Sequence, residues 1–201
     1  MFSLNKCASP GCPAFAYKDT GYCYHHNPEK EAILASLIKQ LEEASTVRDV
    51  SIVNAEVIGV KAGKGGTIMA SNFSFTVFED CTFESLAIIE SFFDYCIFRR
   101  CAFIGDDIRY SVFAGSTFIN CRINDSTVIH NSFMGIDTYD SDFSANDFYF
   151  SNFSLAKLVD TSLEDCSLKR TNFRAALTKN VSFRYSNPEE AFFRKEEGYT
   201  I

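Results

Sequence analysis

Three cysteines and a histidine pair open this chain: Cys7, Cys12 and Cys23, then His25 and His26, within KCASPGCPAFAYKDTGYCYHH. Read as Cys7-x4-Cys12-x10-Cys23-x2-His26, they supply three thiolates and one imidazole, the donor set of a tetrahedral structural zinc site with no open position. His26 is taken as the fourth ligand, with His25 as its alternative. Gly11 and Gly21 permit the tight turns that two such knuckles need. A segment this short cannot bury a core of its own and needs a metal or a disulfide to fold. In a reducing compartment the metal is favoured over the bridge and over free surface thiols. A hydrolytic zinc would need an open coordination position and a nearby base, and Glu29 and Glu31 read instead as first-turn helix acids. A zinc-dependent hydrolase is therefore the least favoured function.

The other five cysteines, Cys81, Cys96, Cys101, Cys121 and Cys166, share one register with small residues and read as small buried hydrophobes. That register is the second feature of the chain. From Phe73 to Phe183 every fifth residue is apolar, with Thr138 and Thr178 as the exceptions among 23 positions. Two residues before each stands a mostly small one, such as Ser71, Thr76, Cys81, Ser91 and Cys96. A period of five suits neither a helix nor an ordinary strand. It returns the chain to the same environment after one short extended piece and one corner, so four units close a square coil of twenty residues. Coils stacked at the roughly 4.8 Å spacing of neighbouring strands form a solenoid whose layers are satisfied only by their neighbours.

The units SNFSF, CTFES, CIFRR, CAFIG, STFIN, SDFSA, SNFSL and TNFRA resemble the pentapeptide-repeat family. That resemblance implies an all-β solenoid, a right-handed quadrilateral β-helix. The chain departs from the commonest family pattern in preferring Phe to Leu at the centre and Ser or Cys to Ala two positions earlier. Leu86, Asp106, Asn131, Ile136, Asn146 and Val181 at the small position are expected to cause local bulges or altered corners.

The domain organisation follows. Residues 1–27 are the Cys/His-rich knuckle and 28–45 an amphipathic helix, with Asn27 as N-cap, Pro28 first, and Ile33, Leu34, Leu37, Ile38 and Leu41 on one face. Residues 46–70 form an irregular first coil, whose register, carried by Ile52 and Val57, slips before Ile68. The β-helix occupies 71–186. Residues 187–201 start with Asn187 and Pro188 and are expected to form a short C-terminal capping helix carrying Phe192 and Phe193, which seal the open end or join a second copy there.

Positions twenty apart are vertical neighbours, and two outward apolar patches emerge. Phe75, Val77, Phe92, Tyr95 and Ile97 are assigned to docking of the N-terminal helix. Tyr110, Ile129, His130, Tyr149 and Phe150 form an interaction patch or a ladder of aromatics that braces the coils. No Ser or Cys nucleophile falls beside His130, and no catalytic residue is assigned.

The 201 residues carry a formal net charge of −7, without an apolar stretch long enough to span a bilayer. This fits a cytoplasmic protein with no membrane partner. No contiguous basic patch is present, so direct nucleic-acid binding is disfavoured. The leading reading is a non-enzymatic interaction scaffold whose partner is another protein. The resemblance also implies an alternative, a DNA mimic acting on a type II topoisomerase such as gyrase. Residues 72–185 hold 15 Asp and Glu against 10 Lys and Arg, a net of −5, which is mild for a polyanion mimic.

Overall fold

The computed structural model describes residues 5–193. From Thr46 onward the chain winds into a parallel β-solenoid of about seven turns. Strands pair with the strand one coil later, so that Ile108 lies beside Ile88 on one side and Val128 on the other. The expected inward positions are buried from Phe73 through Phe173. Their rings stack along the axis: Phe73, Phe93, Phe113, Phe133, Phe153, Phe173 and Phe193 form one column with centroids 4.7 to 5.2 Å apart. Offset stacking at strand spacing lets Phe fill the axis without disturbing the pitch. Thr138 is buried and bonds the Thr161 hydroxyl at 2.7 Å. Thr178 is exposed in the final strand, where no later coil among the described residues covers it.

The expected bulges are absent among the described residues. Asp106, Asn131 and Asn146 are buried, and pairing holds a twenty-residue offset on both sides of them. The reason is a ladder that smallness alone does not reveal. At these positions the inward N–H of one coil is accepted by the side chain one coil later. Ser91 donates to Ser111 Oγ at 3.2 Å, Ser111 to Asn131 Oδ1 at 2.8 Å, and Ser126 to Asn146 Oδ1 at 2.9 Å. Buried backbone donors must be paired, so an acceptor is wanted there, and Asp or Asn serves as well as Ser.

Corners are equally regular. Phe75, Asp80, Ser85, Glu90, Tyr95 and Arg100 all have φ between 50 and 62°, and glycines take the same role at 105, 115 and 135. Left-handed backbone costs an L-residue about 1–2 kcal/mol, so the inter-coil ladders hold these corners against local preference.

The first coil contains strands β1 (Thr46–Arg48), β2 (Glu56–Ile58), β3 (Lys61–Ala62) and β4 (Thr67–Met69). Val57 pairs with Phe78 and Ala62 with Phe83, an offset of 21, whereas Ile68 pairs with Ile88, an offset of 20. The register slip is thus one extra residue in the Gly63–Gly66 loop.

Helix α1 runs Lys30–Glu42, starting later than expected. Asn27 still turns the chain, since its Oδ1 accepts the Glu29 N–H at 3.0 Å. The helix packs on β1 and β3, burying Leu37 and Leu41, and so closes the N-terminal end of the solenoid. The expected docking on Phe75, Val77, Phe92, Tyr95 and Ile97 is therefore corrected. Gly63 donates to the Leu41 carbonyl at 2.8 Å, and a Cβ there would lie 2.8 Å from the Glu42 carbonyl. Only glycine lets the loop approach the helix terminus so closely.

At the C-terminal end the expected capping helix is a 3-10 turn, Pro188–Glu190. Phe193 stacks on Phe173 and lies edge-on to Phe183, covering the axis as expected of a seal. It reaches that place by continuing the five-residue register, with Phe192 bridged to Asn172, rather than from a helix. Residues 194–201 of the expected cap lie outside the described residues. Among the described residues no helix is long and apolar enough to cross a membrane.

Candidate metal centre

Two small turns bring the N-terminal donors together. The Cys7 N–H donates to Ala14 O at 2.9 Å and the Ala16 N–H to Asn5 O at 2.8 Å, a short antiparallel hairpin with Lys6 opposite Phe15. The Cys12 N–H reaches back to Ser9 O at 3.1 Å. A second turn closes between Tyr17 and Tyr22 and delivers Cys23. Gly11 and Gly21 adopt φ of 75° and 77°, the left-handed backbone these turns require.

The donor atoms of Cys7, Cys12, Cys23 and His26 all lie within 4.8 Å of one another. The Cys12 and Cys23 sulfurs are 3.9 Å apart, and His26 Nδ1 is 3.5 Å from Cys7 Sγ and 3.4 Å from Cys23 Sγ. A tetrahedron built on zinc–sulfur bonds of about 2.3 Å has edges of roughly 3.8 Å between sulfurs and roughly 3.5 Å from sulfur to nitrogen. These residues fit such an ion. His26, by Nδ1, is the histidine in the cluster. His25 packs edge-on against its ring at 5.3 Å.

The electrostatics point the same way. Burial raises the Cys7 thiol, but N–H groups of Cys23 and Ser9 and the His26 ring outweigh it and bring it down to about 6. Burial pushes Cys23 up, and its neighbours Cys7 and Cys12 add to the rise. Three thiolates crowded together repel, and a divalent cation at their centre removes that repulsion.

The solenoid cysteines behave differently. All five are buried. Burial pushes the Cys96 and Cys166 thiols up to about 12. Each donates its S–H to a carbonyl of the previous coil, Cys96 to Phe73 O at 3.1 Å and Cys166 to Phe143 O at 3.2 Å, as the Ser116 hydroxyl does to Phe93 O.

The second patch does come together. The His130 ring stacks on Tyr110 at 5.3 Å and on Phe150 at 5.2 Å, with the Arg170 guanidinium 5.4 Å from the Phe150 centroid. Tyr149 meets His130 edge-on at 5.8 Å, and Ile129 ends the strand Thr127–Ile129 beside it. Tyr110, His130, Phe150 and Arg170 all occupy left-handed corners of successive coils. The stack braces the coils and leaves Tyr110 and Phe150 about half exposed.

A cavity of about 720 Å³ between the cysteine arm and the solenoid, lined in part by Phe15, Phe75, Phe92 and Asp94, was not anticipated. The twenty-residue register holds a partial signal for it, since it places Ser74 against Asp94 and Asn72 against Phe92 on that face. Nothing in the sequence pattern shows where the arm crosses.

A parallel solenoid of five-residue units, four to a coil, is the pentapeptide-repeat architecture. Solved structures to which the chain is similar include full-length QnrB1, a plasmid-mediated fluoroquinolone resistance protein, at 13% identity over 73% of this chain and 94% of that one, TM-score 0.42. Another is HetL, a pentapeptide repeat protein involved in heterocyst differentiation regulation from the cyanobacterium Nostoc sp. strain PCC 7120, at 9% identity over 82% and 98%, TM-score 0.38. At such identities the likeness concerns the fold alone. No protein-family model matches the chain, and no curated protein does.

Proposed function

We propose that this protein is a non-enzymatic interaction scaffold: a rigid solenoid with a zinc-held N-terminal arm, presenting fixed outer columns to another protein. The observation that carries this reading is the half-exposed column of Tyr110, His130, Phe150 and Arg170. Aromatic and arginine side chains dominate binding hot spots. Here the stack holds them in place before any partner arrives, which lowers the ordering cost of association. The zinc is structural: three thiolates and one imidazole complete its shell and leave no position for a substrate water, which removes the basis of a hydrolase. A reducing compartment such as the cytoplasm keeps the arm thiols available to the metal. A second copy would meet this one at the C-terminal end, where Leu177 and Tyr185 are exposed.

The test is a Tyr110→Ser, Phe150→Ser double variant, shown by circular dichroism to remain folded at the temperature of the assay, compared with the native chain by quantitative mass spectrometry of co-purifying proteins. A partner lost only from the variant supports the reading, and identical partner sets sink it.

DNA mimicry against gyrase is the second reading. It draws on Asp140 and Asp160, which stand on one corner column next to Asn180, whose Nδ2 donates to Asp160 at 2.8 Å. Two coils before Asp140 the same column holds Arg100, bonded to Asp80 at 2.8 Å, so the acidic strip is short. Inhibition of gyrase supercoiling at stoichiometric protein would favour mimicry.

A further inference from the structure

The cavity between arm and solenoid has the size of a small-molecule site, and its lining has a definite chemistry. Phe15 and Tyr24 come from the arm, and Val53, Phe75 and Phe92 from the first coils. Asp94 is the one carboxylate among the lining residues, and no lysine or arginine lines it. The Ser74 hydroxyl donates to Asp94 Oδ1 at 2.7 Å and fixes the carboxylate against that wall. Phe75 is itself held, stacked on Tyr95 at 5.3 Å. Cys12, Cys23 and His26 also face the cavity. On the metal reading above, on which this step rests, three thiolates and a neutral imidazole around a divalent cation carry a net −1. Both walls are then negative.

We propose that this cavity binds a small organic cation, an amine carried on an apolar or aromatic body. Aromatic faces attract an ammonium group through their quadrupole, most strongly when it is desolvated. A carboxylate on one wall fixes which end of the ligand enters, and the apolar lining takes its body. An anionic ligand of the same shape would meet two negative walls.

Three probes sharing the indole ring test this on the full, metal-loaded chain: tryptamine, the neutral alcohol tryptophol and the acid indole-3-propionate. Titration calorimetry should show tryptamine binding at least about tenfold tighter than tryptophol, with the acid weakest. Asp94→Asn should abolish the preference for amine over alcohol, and Phe75→Ala should weaken both. Equal binding of amine and acid overturns the proposal, as does no binding of any probe at millimolar concentration. Metal content measured on the same samples separates the two readings. A chain purified without metal sinks the metal centre, whereas metal-loaded protein that ignores tryptamine sinks the cavity's assignment.

Discussion

Asp106 Oδ1 accepts the backbone N–H of Leu86, one coil earlier, at 2.8 Å, while Asp106 Oδ2 is buried with no hydrogen-bond partner among the described residues. In the same slot of other coils the Nδ2 groups of Asn131 and Asn146 donate to the carbonyls of Ile108 and Ile123, at 2.8 and 2.5 Å. A protonated Asp106 can donate in the same sense; a carboxylate cannot. Burial accordingly holds Asp106 up at about 7. Its folded value lies above the unfolded one, about 3.9. The stabilisation is therefore fully present below about pH 4 and is lost as pH rises through 7. Asp106→Asn should flatten this slope and be the more stable form at pH 8, by on the order of a few kcal/mol. Denaturant midpoints at pH 5 and pH 8 check it; a slope unchanged by the substitution would contradict it.

Phe113 and Phe133 sit in the middle of the axial column, each fully buried. Alanine at either should cost about 3–5 kcal/mol in equilibrium unfolding. A loss below about 1 kcal/mol would be incompatible with their place in the stack.

Cys101 lies in the slot that serine fills at 91, 111 and 116, with its sulfur 3.4 Å from Phe78 O. Cys101→Ser should leave stability nearly unchanged, because the hydroxyl serves the same ladder. Cys101→Leu should destabilise by about 1–3 kcal/mol through overpacking. Comparable effects for the two would reject the ladder as the reason for residue choice.

Chelation should expose Cys7, Cys12 and Cys23 to a thiol reagent while the buried solenoid cysteines stay protected. Mass-resolved labelling before and after chelator reads this directly. Rapid native-state labelling of Cys81, Cys96, Cys101, Cys121 and Cys166 would contradict the coil register.

Gly115 and Gly135 share the left-handed corner conformation, with φ of 66° and 65°. They differ in surroundings: a Cβ at 135 meets nothing within 4 Å, whereas one at 115 would lie 2.6 Å from Tyr95 Cε1. Alanine should cost each about 1 kcal/mol from backbone strain. At 115 alone it should also push the exposed Tyr95 ring aside and break its stack on Phe75. Thermal melts, with NMR of the Tyr95 ring, separate the two effects.

The axis was legible in the sequence because burial imposes a strict period: Phe73 to Phe173 point inward as the spacing requires. The donor set Cys7, Cys12, Cys23 and His26 was legible for a similar reason, since ligand chemistry limits the spacing. Docking was not. Whether α1 lies on Phe75 or across the end of the first coil depends on where the Gly63–Gly66 loop lets it approach, a steric fact of the assembled coil. The tolerance of Asp106 and Asn131 was hidden as well, because the pattern shows the size of a slot and conceals the donor it faces.

The ladder of inward N–H groups also runs one way. Ser91 is satisfied by Ser111, and Ser111 by Asn131, each by a residue 20 positions later. On a ribosome, a coil formed from the emerging N-terminal side therefore keeps bare donors until the next coil has been synthesised. Assembly trails translation by one turn, and the unfinished edge is always the youngest one. Among the described residues the last rung of this ladder is the Cys166 N–H, taken by Ser186 Oγ at 2.8 Å.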